Sequence, residues 1–309
     1  MKRFLAGVLL AAALAFPLFF KEYWLYVGII SLYYAMLASS WSMLAGQVGL
    51  ISFAHVAFAG IGAYTSAFLV IYAHVPIPIA MFAGALAAAI FGLGIGALTL
   101  RMRGPYLALT TLAFSEILRI FITAEYQLTQ GSIGLKVPLL FDGDKVYSYY
   151  TGLFLFGFIF TLLQVLLRSQ VGLFLVAMRE DEDGAATRGV NTVAYRLLAF
   201  IVTSAAAGLS GGFYAHVVGL VSPQMIRIGE MGLILAMSVF GGLESLLGAA
   251  LGAVALQALT EYLRVFVEWR LAIFGALVLF TLKFAPEGIL PRFFRHAERF
   301  VGRITGRSE

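Results

Sequence analysis

Apolar stretches long enough to cross a bilayer recur along almost the whole chain, and they leave very few folds open. A hydrocarbon core asks for about 20 apolar residues per helix. On that ruler spans fall near 4–20, 24–45, 49–70, 79–100, 104–124, 149–168, 195–219, 229–243, 245–262 and 271–286. In lipid every backbone polar group must be paired within its own segment, so such runs are helices. The predicted fold class is therefore an all-α polytopic membrane protein of about ten transmembrane or broken helices, forming one domain over 1–309. Of the 309 residues only 12% are charged, about half the share in a soluble domain, and the 33 glycines suit close helix packing. The absence of cysteine excludes a disulfide framework, a thiolate nucleophile and a Cys metal site.

The first twenty residues have the outline of a signal peptide, with Lys2 and Arg3 before an apolar run and the small-x-small triplet Ala13-Leu14-Ala15. That triplet lies inside a run that continues to Phe20, and Pro17 would sit just past the cut, so an uncleaved first span is expected. With the N-terminus inside, the inner segments collect fourteen Lys and Arg residues, the outer ones six, and Arg119 stays within a span. This positive-inside asymmetry predicts both termini in the cytoplasm and an even number of spans. It also accounts for the net charge of +5 without a nucleic-acid partner. In the tail, 287–309, Arg292, Arg295, Arg299 and Arg303 recur at helical spacing beside Phe293, Phe294 and Phe300, the pattern of an amphipathic helix on anionic lipid.

One densely charged insertion interrupts the apolar pattern, from Gly172 to Tyr195. Arg179, Glu180, Asp181, Glu182, Asp183 and Arg188 alternate there with Val176, Ala177, Ala185 and Ala186. A short amphipathic helix, a turn at Gly189 and a new helix capped by Asn191 or Thr192 are predicted, held between two spans for a soluble partner to touch. The loop from Glu125 to Ser148, rich in glycine and with Pro138, is predicted to be a structured, turn-rich segment on the other side.

Chemistry-bearing residues are few. No phosphate-binding Gly-Lys-Ser/Thr loop is present, so energy from ATP must come from another chain. His55, His74, His216 and His296 show no metal-ligand spacing, and no metal or cofactor is expected on this chain. Gly208-Leu209-Ser210-Gly211 with His216 resembles fragments of a rhomboid-type intramembrane protease, yet six residues on one helix set Ser210 and His216 about 240° apart, which forbids a dyad. Glu116 and Arg119 fall within a span three residues apart; a structural ion pair and a role in a solute pathway both stay open. Thr110 and Thr111 beside them are equally explained by bonds back to helix carbonyls. From Ser39 to Thr65, Gly46, Gly49, Gly60 and Gly62 permit a broken helix at which Gln47, Ser52 and His55 can meet a polar solute, the alternative being close packing with satisfied hydroxyls. A second glycine-rich break runs from Phe240 to Ala253.

These fragments, in their order, resemble the LivM-type permease subunits of bacterial branched-chain amino acid ABC importers. The likeness includes Gly46-Gln47-Val48-Gly49-Leu50-Ile51-Ser52 with His55, Arg103-Gly104-Pro105-Tyr106 followed by Thr111-Leu112-Ala113-Phe114-Ser115-Glu116, and Gly131-Ser132-Ile133-Gly134. Arg179-Glu180-Asp181-Glu182, Gly189-Val190-Asn191 and Pro286-Glu287-Gly288 complete it. The resemblance implies a non-catalytic permease of the bacterial inner membrane. A LivH-type sister permease shares the pathway, two cytoplasmic subunits bind ATP and Mg, and a periplasmic solute-binding protein delivers the solute. It places the coupling loop near 172–195, with Arg179, Glu180, Asp181, Glu182, Asp183, Gly189 and Asn191 in contact with the ATPase. The same scaffold serves urea, amides and aromatic acids, which remain alternative solutes; a stand-alone secondary carrier is the other alternative. Four positions depart from the family pattern: Ala54, Gln130, Gly184 and Glu244. A glycine at 184 costs a helix roughly 1 kcal/mol, which predicts a later start for the coupling helix.

Overall fold

The computed structural model describes residues 2–102 and 104–263, together with Gly275, Ala276, Leu279 and Lys283. In chain order the helices are α1 (Lys2–Phe19), α2 (Glu22–Ser42, prolonged by a π turn over Met43–Gln47), α3 (His55–Ala73), α4 (Ile77–Leu98) and α5 (Pro105–Ala124). The short α6 (Tyr126–Thr129) precedes α7 (Lys145–Arg168), α8 (Gln170–Glu180), α9 (Glu182–Thr187), α10 (Thr192–Val218), α11 (Ile228–Gly241) and α12 (Leu246–Tyr262). Six of these segments are long and apolar enough to cross a membrane: Glu22–Gln47, His55–Ala73, Ile77–Leu98, Pro105–Ala124, Lys145–Arg168 and Thr192–Val218. α1 lies against α7, where Phe16 stacks on Tyr149 at 5.5 Å and the Tyr149 hydroxyl donates to the Ala13 carbonyl at 2.9 Å.

Sequence rules account for the helix ends. Pro105 opens α5, where its missing N–H costs nothing. Asp144 caps α7 by accepting from Val146 N at 2.8 Å and Tyr147 N at 3.2 Å, and α10 stops at Gly219 with φ 75°.

α10 runs through the middle of the bundle against α3 and α4, and glycine sets how close the three come. A Cβ on Gly62 would stand 2.0 Å from the Gly208 carbonyl oxygen, and one on Gly211 1.9 Å from that of Ala59. Helices in lipid gain little from burying apolar surface, so such backbone contact is what holds them together.

The spans expected at 229–243 and 245–262 are not two crossings. α11 and α12 bend back on each other by 118°. α11 starts where the Tyr34 hydroxyl donates to Glu230 at 2.7 Å and descends along α2 to Ser238, which donates to Ala38 O at 3.3 Å. α12 returns from Leu246, whose carbonyl accepts from Ser39 at 3.4 Å, to Tyr262, whose ring lies 6.0 Å from Trp24. Both ends thus point toward the start of α2, and the pair forms a re-entrant hairpin. Gly242, at φ 111°, makes the bend, and Gly241 lets the arms close, since a Cβ there would meet Gly248 O at 2.0 Å. The expected span 49–70 likewise begins only at His55, because 48–54 is non-helical around Gly49 (φ 78°). The expected span 271–286 and the basic tail 287–309 lie outside the described residues.

At the end of the bundle away from α8 and α9, the predicted turn-rich loop is ordered by a two-residue antiparallel ladder, β1 (Leu135–Lys136) with β2 (Leu220–Val221). Gln130, where the family often has glycine, sits at φ 58°, a left-handed conformation that glycine adopts without strain.

Candidate functional site: two helix breaks joined to a charged helix pair

The break after α2 leaves backbone groups that lipid cannot satisfy, and side chains take them up. Trp41 Nε1 donates to Ser52 O at 2.7 Å, Thr111 Oγ1 accepts from Phe53 N at 2.9 Å, and Ser115 Oγ donates to Phe53 O at 2.9 Å. Ser52 Oγ accepts from Ala54 N at 3.2 Å. Thr111 also bonds back to Leu107 O at 2.9 Å. Two of the residues expected along a solute path, Ser52 and Thr111, are therefore fully buried and hold the break in shape. His55 is buried beside Phe58, and neither of its ring nitrogens has a hydrogen-bond partner in the chain.

The tip of the hairpin seats directly on this break. Ser42 Oγ donates to Leu243 O at 2.6 Å, Gln47 Nε2 donates to Glu244 O, and a Cβ on Gly46 would fall 1.9 Å from Leu243 O. The two glycine-rich breaks singled out in the sequence are thus in contact.

The charged segment folds as two short helices. Asp181 interrupts them and caps α9 by accepting from Gly184 N at 3.0 Å; Gly189 turns the chain at φ 87°; Asn191 caps α10 by accepting from Ala194 N at 3.0 Å. The Asp181 cap outweighs the helix cost of Gly184, so α9 begins at Glu182 and not later as expected. Side chains then divide by direction. Arg179 turns inward and donates to both the Gly46 carbonyl and the Glu244 carboxylate. Glu182 faces Arg196 at 3.7 Å, and Arg196, fully sheltered in the second turn of α10, donates to Leu100 O at 2.6 Å. Leu173, Val176, Glu180, Asp183 and Arg188 face outward. A cleft of about 230 Å³ opens where Val48 and Gly49 of the break meet Arg179, Glu182 and Arg196. Two contributors were missed by sequence reasoning: Arg196, read only as an inner positive charge, and Glu244, whose single signal was an acid interrupting a run of small residues.

Glu116 and Arg119 form the intrahelical ion pair that their spacing allowed. They lie on a face of α5 that the rest of the described chain leaves open, beside exposed Ile117, Ile120 and Phe121. Ser210 donates to Ala206 O at 2.7 Å and is not paired with His216. His216 instead joins Ser66 of α3, at 2.9 Å, to the Pro138 carbonyl, also at 2.9 Å, tying α3, α10 and the loop together. Among the described residues no three His, Cys, Asp or Glu side chains are arranged to hold a metal.

A helical bundle with two broken elements meeting inside it, and a charged helix pair fastened to their junction, is the architecture of a multi-pass membrane transport subunit. The profile of the permease component of branched-chain amino acid transport systems matches residues 23–282, and the chain belongs to this family. It is 30% identical over 312 residues to the high-affinity branched-chain amino acid transport system permease protein LivM of Escherichia coli, covering 92% of this chain and 73% of the relative. LivH of the same species is 29% identical over 285 residues, covering 84% and 91%. BraD of Pseudomonas aeruginosa is 28% identical over 287 residues, covering 84% and 92%. No solved structure matches the chain significantly.

Proposed function

We propose that the chain is one of two permeases of an ATP-driven importer for branched-chain or related amino acids, and that α8 and α9 receive a cytoplasmic ATP-binding subunit. The observation that carries this reading is the division of the charged segment. Its outer face, with Leu173 (71% exposed) and Glu180 (73% exposed), mixes apolar and acidic groups without a cover, while its inner face is fastened to both helix breaks. Asp181, Gly189 and Asn191 shape the segment; Glu180 and Asp183 meet the partner. The inner membrane, cytoplasmic termini, a LivH-type sister chain, a periplasmic binding protein and ATP with Mg on the partner subunits belong to the same reading. The double reversal E180R/D183R is expected to abolish co-purification with the ATP-binding subunit while membrane insertion and the sister permease are retained. Undiminished co-purification would refute the docking role.

The solute path runs along the open face of α5, with Gln47 and His55 at its inner end and Glu116 beside it. A charged pair facing hydrocarbon is costly, so this face is covered by the sister chain or by the water of a shared pathway. E116A leaves a lone guanidinium within a span, a cost of about 3 kcal/mol on insertion scales, and is expected to lower the amount of inserted protein. The swap E116R/R119E restores the pair and is expected to recover both insertion and uptake. Normal insertion with lost uptake in the swap would instead assign Glu116 a direct contact with solute.

A further inference from the structure

Arg179 is the only side chain of the described α8–α9 pair that bonds to both helix breaks. One terminal nitrogen donates to the Gly46 carbonyl at the end of the α2 π turn, and the other donates to the Glu244 carboxylate at the tip of the hairpin. Its stem crosses Gly49, where a Cβ would stand 3.1 Å from Arg179 Cγ, so the glycine clears its route. The planar guanidinium offers separate donors in fixed directions, whereas a lysine ammonium is a single point of charge that cannot span both acceptors in the same way. Beneath it the two breaks already touch through Ser42 and Leu243 at 2.6 Å and through Gln47 and the Glu244 carbonyl. A movement of α8 that withdraws Arg179 therefore unfastens both breaks in one step.

We propose that Arg179 is a positioning residue that transmits displacement of α8 and α9 to the paired breaks, tying solute passage to that displacement. This rests on the reading of the helix pair as the ATPase-docking segment. Glu244, foreign to the family's usual run of small residues, is the anchor on the hairpin side. An arginine that only braced the fold would alter how much protein folds, and every assembled complex would still import the usual amount of solute for each ATP consumed. A transmitting arginine changes that ratio.

The test is the complete importer in proteoliposomes: both permeases, the ATP-binding subunits, and the binding protein loaded with leucine, with leucine uptake and phosphate release measured together. R179M is expected to assemble and to hydrolyse ATP at a rate near that of the unaltered complex, while leucine imported per ATP falls by about tenfold, within the ordinary range of coupling between sites. R179K is expected to fall between the two. E244Q, which keeps an acceptor but loses the charge, is expected to lose less than R179M. An unchanged ratio in R179M overturns the proposal. So does failure of R179M to assemble while R179K assembles with the full ratio, which is the behaviour of a brace. If the unaltered chain does not hold the ATP-binding subunits at all, the docking reading falls first and the proposal with it.

Discussion

Replacing Gly211 by alanine is expected to remove a large share of the protein's stability, and replacing it by leucine to leave almost no folded chain in the membrane. The added Cβ would lie 1.9 Å from the Ala59 carbonyl oxygen and 2.8 Å from Ala59 Cα. Both neighbours are backbone of α3, so no side-chain rotation relieves the overlap, and α10 must move off α3. The same separation would loosen the contact of Gly62 with Gly208, one helical turn away on each helix. Overpacking of this kind costs about 3 kcal/mol even where side chains can shift, and little apolar driving force exists in lipid to offset it. Gly94→Ala on α4 is the matched control, because nothing lies within 4 Å of its Cβ; it is expected to match the unaltered protein. Size-exclusion profiles after graded heating in mild detergent measure the difference. A Gly211→Ala protein as heat-resistant as Gly94→Ala would show that the helices are not in backbone contact there.

Gly46→Val is expected to give a protein that inserts and assembles yet barely transports. The valine Cβ would enter the Leu243 carbonyl, 1.9 Å from its oxygen and 2.7 Å from its carbon. The hairpin tip would be driven away, breaking the bond from Ser42 and that from Gln47 to the Glu244 carbonyl. Taking about 3 kcal/mol for the overlap, the touching arrangement of the breaks loses about a hundredfold in population. Because the sequence contains no cysteine, a pair introduced at Ser42 and Leu243 reports the contact through disulfide formation. High crosslinking yield that persists with Gly46→Val, together with normal uptake, would contradict the seating of the tip on the break.

Much of the fold was legible because length and apolarity decide where a chain can cross a bilayer, and those are local properties. The cap at Asn191, the turn at Gly189, the Glu116–Arg119 pair and the existence of both glycine-rich breaks follow from short-range rules of the same sort. What the sequence did not disclose depends on partners far along the chain. Ser42 and Leu243 are 201 positions apart, and nothing near either one signals their contact. Arg179 was grouped with an outward-facing acidic surface because its neighbours are charged, but its direction is set by Glu244, 65 positions on. The two segments around Gly242 each had the apolarity of a span, and only their contacts along α2 show that the second retraces the first. His216 found its serine on α3 rather than on its own helix, as helix geometry required of any pairing beyond Ser210.

That retracing gives the hairpin the mechanics of a cantilever. Its supported end is fixed near the start of α2 by the bond from Tyr23 to Glu261 and by the rings of Trp24 and Tyr262, while its loaded end rests on the first break. An α-helical arm of 17 residues is about 25 Å long, so a tilt of about 5° at the support carries the tip by about 2 Å. That shift is enough to part the hydrogen bonds at Ser42, Gln47 and Arg179, with both helices intact and no residue drawn across the hydrocarbon.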